Sequence, residues 1–176
     1  MTVIACYASP DLAVMGADML LTDDENHTTL TKGKVWYRDG VLYGGAGSYA
    51  QVQAIRFCKL PKAPTKDFEA WGVHKLIPAI KKALKGTEGV PALLVAIPGM
   101  GVAMVDSQYA FVHLPANNVM TTGNGGQYAK GYLFGKDADP YAIMGAVRAA
   151  VSNDAACGGV PNVLVLVKGD VGAQSL

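Results

Sequence analysis

A threonine at position 2 can bring a nucleophile and a base together on one residue. Its side chain is of the small type after which an initiator Met is normally trimmed, and loss of Met1 would free the α-amino group of Thr2. The hydroxyl would then attack, with the amine, whose ordinary pKa is about 7.7–8.0, as its base. Taken alone, the same threonine is only the head of an apolar strand. Asp18 and Lys34 follow at two successive steps of sixteen residues. Singly, they read as a turn acid and a strand-end lysine. Other chemistries lack their residues. His27, His74 and His113 lie far apart, and none sits at a metal-ligand spacing from another His or Cys. In Gly123-Asn124-Gly125-Gly126, Tyr128 stands where a dinucleotide loop needs glycine, and no Lys-Ser/Thr pair follows for a phosphate loop. There is no G-x-S-x-G elbow and no Cys–His pair.

The elements that must position these residues can be read from patterning. Thr2–Ala8 and Leu12–Ala17 are apolar and strand-like, with Ser9-Pro10-Asp11 as the turn between them. Asp23–Thr29 reads as an exposed loop. Val35–Arg38 and Val41–Tyr43 flank Asp39-Gly40, the signature of a type I′ hairpin. Gly44-Gly45-Ala46-Gly47 leads to Ser48, a helix-capping type, ahead of a helix over Tyr49–Lys59. A second helix spans Lys66–Lys85 and should bend at Pro78. Strands follow at Pro91–Ile97, Gly101–Val105 and Tyr109–Leu114. Then come helices at Gln127–Phe134 and Pro140–Asn153, and a last strand at Val163–Lys168. Strands and helices come in grouped runs, which favours a layered α+β sandwich over alternating βαβ units.

Composition bounds the partners. The chain has 176 residues, enough for one domain, 1–176, and no internal repeat is visible. Fifteen basic residues against fourteen acidic ones leave a charge of +1, with no excess to neutralise phosphates, so nucleic acid is not an expected partner. Charged residues are only 16% of the chain, which suggests that surface is buried against other copies. The longest apolar run, Val90–Pro98, is far short of the ~20 residues of a membrane helix, and the first residues lack a signal-peptide pattern. Cys6, Cys58 and Cys157 are an odd, scattered set that reads as reduced thiols, so a cytoplasmic location is expected.

The spacing of Thr2, Asp18 and Lys34, with the glycines at 44–47, resembles the β-type subunits of the proteasome and the HslV-like peptidases, N-terminal nucleophile (Ntn) hydrolases of the threonine type. Three further segments are similar in order: Gly44–Gln51 to the family's glycine turn into its first helix, Thr122–Ala129 to its G-S-G-G turn, and Asn153–Gly159 to its D-x-x-S-G-G segment. The resemblance spans nearly the whole chain and implies a four-layer αββα sandwich of two antiparallel sheets. It implies Thr2 as nucleophile with its own amine as base, acting through a water, and Lys34 as the cation that favours the deprotonated hydroxyl. Asp18 would pair with Lys34, and the Gly44 N–H would supply the oxyanion hole. Thr22 would pair with extended substrate, while Leu21, Lys32, Leu42 and Ala46 would line the substrate cleft. Asn124, Asp154 and Cys157 would support the amine. Asn124 and Cys157 replace the family's serines, and a thiol is the poorer hydrogen-bonding group.

The implied function is a threonine-type endopeptidase, the core of a self-compartmentalising protease that cuts extended peptides through an acyl-enzyme. The resemblance implies hexameric or heptameric rings, stacked in pairs, served by an ATP-dependent unfoldase. The chemistry calls for no cofactor or metal, and whether a structural cation is held stays open. Two alternatives are a non-catalytic ring or scaffold subunit and a stand-alone amidase of the same fold acting on a small molecule.

Overall fold

Tight turns and alternating apolar residues build two antiparallel sheets. The computed structural model describes residues 2–23 and 26–176. β1 (Ile4–Ala8) and β2 (Leu12–Ala17) are joined by a turn in which Ser9 Oγ accepts the N–H groups of Asp11 and Leu12. They lie between β10 (Asn118–Thr122) and β11 (Asn162–Val167), with the short β12 (Gln174–Ser175) outside, in the order β10-β1-β2-β11-β12. The second sheet is a meander of β5 (Val35–Arg38), β6 (Val41–Ala46), β7 (Ala92–Ile97), β8 (Gly101–Val105) and β9 (Phe111–Leu114). At the β5–β6 turn, Asp39 and Gly40 both take positive φ (48° and 84°), as a type I′ turn requires.

Alternation along each strand sorts side chains into three cores. Ile4, Cys6 and Met15 meet Val35, Leu42 and Leu94 between the sheets. The opposite faces of β1 and β2, with Val3, Ala5 and Val14, pack under α4 (Gly126–Leu133) and α5 (Pro140–Asn153). Trp36, Tyr43, Leu93 and Val95 pack under α1 (Tyr49–Phe57), α2 (Phe68–Trp71) and α3 (Ile77–Ala83). Side chains that alternate between two buried faces leave each sheet covered on both sides. The result is the four-layer αββα sandwich.

Several local features differ from the sequence reading. The Asp23–Thr29 stretch contributes to a two-stranded ribbon, β3 (Leu20–Asp23) with β4 (Asn26–Thr29), although Asp24 and Glu25 lie outside the described residues. Its polar composition suits a ribbon that belongs to neither main sheet. The 66–85 segment is interrupted by a π turn, Gly72–Leu76, just before Pro78. Proline lacks an N–H and crowds the carbonyl four residues back, and a wider turn relieves that clash. Ser48 makes no side-chain cap bond, whereas Asp67 and Asp139 cap α2 and α5 through the N–H groups of Ala70 (2.8 Å) and Ala142 (2.6 Å). β10 and β12 had no sequence signal strong enough to mark them.

Candidate active site

The antiparallel pairing of β1 with β2 sets Ala17 opposite Ile4, so the residue after β2 lands beside the residue before β1. Asp18 therefore meets Val3. The Asp18 N–H donates to the Val3 carbonyl (3.3 Å), and Val3 N–H returns a bond to Asp18 Oδ1 (3.0 Å). Lys34, entering β5 from the other sheet, donates from Nζ to both carboxylate oxygens of Asp18, at 2.8 and 2.9 Å. The N–H groups of Leu20 and Gly158 also donate to the carboxylate, at 3.3 Å each. Asp18 is fully buried and Lys34 is 3% exposed. Burying two charges costs several kcal/mol unless both are paired and hydrogen-bonded, and here they are. Desolvation pulls the Lys34 pKa below its ordinary value, against the pull of the Asp18 charge in the other direction. The pair thus holds an ammonium beside the Thr2–Val3 peptide.

The glycine turn fixes Thr2 from the other side. Gly125 N–H donates to the Thr2 carbonyl (3.2 Å). Gly123 has φ +84°, and a Cβ there would sit 2.1 Å from the Thr2 carbonyl oxygen, so only glycine allows this approach. Asn124, exposed on the same turn, borders the cleft with Thr2. Past α5, Cys157 N–H bonds the Asp154 carbonyl (2.9 Å), and its Sγ lies 3.7 Å from Asp154 Oδ2. Burial, reinforced by the charges of Asp18 and Asp154, pushes the Cys157 thiol up to about 12. At neutral pH it is a protonated, weak donor to Asp154.

Thr2 opens into a cleft of about 350 Å³ lined also by Ala46, Gly47, Ala92, Thr122, Gly123 and Asn124. The structure brings Thr2, Asp18, Lys34, Ala46, Asn124, Asp154 and Cys157 to one end of the sandwich. It relocates two expected residues. Leu42 is fully buried in the core between the sheets and cannot line a substrate pocket. Gly44 lies inside β6, opposite Val35 and Leu94, with Ile4 and Met15 against its Cα. The N–H of Gly45 points to the Lys34 carbonyl (3.1 Å), so alternation turns those of Gly44 and Ala46 toward β7, while Gly47, just past the end of β6, borders the cleft. Leu21 is half-buried in β3, which also contains Thr22. Lys32 is exposed, its ammonium 5.7 Å over the Phe57 ring. Gly47 and Thr122 belong to the two glycine-turn segments, Gly44–Gln51 and Thr122–Ala129, which is a usable signal; Ala92 has none. A larger cavity of about 800 Å³, between Lys66, Phe68, Met100 and Lys168, lies at the other end of β1, by the Ser9 turn, and contains none of these residues.

Among the described residues, no group of three or more His, Cys, Asp or Glu side chains converges as a metal site would require, and no helix is long and apolar enough to cross a membrane. No protein-family model matches the chain, and no curated protein matches it. Solved structures do. Thiobacillus denitrificans BPH has a TM-score of 0.74 at 18% identity, over 97% of this chain and 100% of that one. The same protein in complex with epoxomicin has a TM-score of 0.74 at 17% identity, with the same coverage. The likeness is one of fold. This chain is a four-layer α+β sandwich with the fold of that protein.

Proposed function

We propose that the protein is an N-terminal threonine peptidase. The observation that carries this reading is the fully enclosed Asp18–Lys34 pair, built against the backbone of the residue that follows Thr2. With its amine free, Thr2 supplies nucleophile and base together. The Lys34 ammonium favours the alkoxide by its charge, and Asp18 holds it there. Gly47, which borders the cleft, supplies the N–H for the tetrahedral oxyanion, a contact whose loss elsewhere costs about 10²–10³-fold in turnover. The hydroxyl attacks a peptide carbonyl, the amine passes the proton to the leaving nitrogen, and water then releases the acyl group from Thr2. That a protein of this fold has been solved with epoxomicin supports the reading. Met1 lies outside the described residues, and with Met1 attached the Thr2 nitrogen would be an amide and no base.

The test needs a preparation whose intact mass shows a free Thr2. It should hydrolyse a fluorogenic peptide and gain the mass of epoxomicin on Thr2, while Thr2→Ala does neither. A trimmed protein with no turnover and no label would defeat the proposal and leave a non-catalytic subunit. Self-association belongs to the same proposal. Phe134 (88% exposed), Tyr141 (71%) and Phe57 (63%) are bare on or beside the outer helices, in a chain of which only 16% is charged.

A further inference from the structure

We infer that Arg56 is a positioning residue that sets the aim of Lys34, an inference that rests on the role given to Lys34 above. The direction of a side chain leaving the backbone follows from the two planar peptides flanking its Cα. The peptide after Lys34 is held within the sheet, its carbonyl accepting the Gly45 N–H at 3.1 Å. The peptide before it, Gly33–Lys34, lies ahead of β5 and outside its ladder. Its carbonyl is held instead by Arg56 Nη1 at 2.7 Å, reaching across from the last turn of α1. Asn162 packs against Gly33 itself. A Cβ on Gly33 would fall 1.8 Å from Asn162 Nδ2 and 3.2 Å from Met19 Sδ. The guanidinium thus holds the peptide's carbonyl, while Asn162 leaves no room for a side chain at position 33.

The hold is stiff because Arg56 is itself seated. Its guanidinium lies 5.6 Å over the ring of Trp36, which is buried and stacked on Tyr43 with centroids 5.7 Å apart. A planar cation can stack and donate at once, and a lysine ammonium cannot reproduce both. Arg56 borders neither Thr2 nor the cleft, so its effect reaches the chemistry only through Lys34. Released, the Gly33–Lys34 peptide can rotate and carry Nζ off its paired contacts with Asp18. Misplacement by about 1 Å costs up to about 10²-fold in rate.

The experiment compares wild type with Arg56→Ala, Arg56→Gln and Arg56→Lys, all with Thr2 freed. It reads kcat and KM on a fluorogenic peptide, the thermal midpoint, and the ¹³Cε resonance of Lys34 in ¹³C-lysine protein, assigned by its absence in Lys34→Arg. The expected result is a fall of about 10- to 100-fold in kcat. KM should stay within about twofold and the Lys34 resonance should be displaced, with Arg56→Lys only partly restored. A Lys34 resonance that does not move overturns the inference, whether kcat falls or not. If Arg56→Ala fails to fold, Arg56→Lys decides by the same readings. If wild type shows no turnover, the peptidase reading fails separately, and the resonance alone then supports or overturns the inference.

Discussion

At the scale of single residues, the Asp18–Lys34 pair carries structural and chemical weight at once. Removing Lys34 leaves a fully buried carboxylate without its cation, which costs about 3–5 kcal/mol. Lys34→Ala should therefore lose turnover and much of its stability together. The double variant Asp18→Asn/Lys34→Met should recover part of the stability and none of the turnover, as denaturant melts beside peptide assays would show; an active double variant would separate the pair from catalysis. Cys6 gives a pH signature. Burial raises its thiol from 9.0 to about 12, so between those values the unfolded chain binds fewer protons than the fold. Stability should fall as pH rises through that window, by up to about 1.4 kcal/mol per unit from this group. Denaturation curves for Cys6→Ala should show a correspondingly shallower fall.

At the scale of elements, the site sits where chain ends and turns meet. The turn from β10 into α4 works only as glycine, since the Gly123 Cα faces the Thr2 carbonyl. Gly123→Ala combines a positive φ with a backbone clash. It should lower the melting temperature and remove epoxomicin labelling of Thr2, whereas Gly131→Ala, whose added methyl meets nothing within 4 Å, should leave both close to wild type. The hairpin at Asp39-Gly40, the start of α5 at Pro140 and the alternation of β1 and β2 were all readable, because local φ/ψ demands and period-2 burial are written in adjacent residues. β10 was not: Asn118–Thr122 is half-buried, and its strand character comes from pairing with β1. The strand character of the β3–β4 ribbon likewise comes from pairing, here of its two halves with each other.

At the scale of the whole molecule, the outer helices decide what else the protein touches. Of the helix faces carrying Tyr49, Ile55 and Phe57 or Ala129, Tyr132 and Leu133, which the sequence offers to other copies, Ile55, Ala129 and Leu133 are buried in the chain's own cores. Among the large apolar side chains still exposed on or beside the helices, Phe57, Phe134 and Tyr141 are the barest. Assembly through these residues predicts a homo-oligomer in sedimentation at micromolar concentration and its dissociation by Phe134→Ser/Tyr141→Ser. A monomer with full peptide turnover would remove the ring from the proposal and favour a stand-alone amidase.

The sequence by itself determined the layered α+β class, the grouping of helices and the fixed intervals among Thr2, Asp18 and Lys34, since these depend on patterning and spacing along the chain. Only the tertiary structure decided that Gly47 and not Gly44 borders the cleft, that Leu42 belongs to the core, and that Arg56 holds the carbonyl before Lys34. Those facts follow from strand register. A shift of one residue reverses which way every N–H and side chain points, and register is set by contacts between segments far apart in the chain.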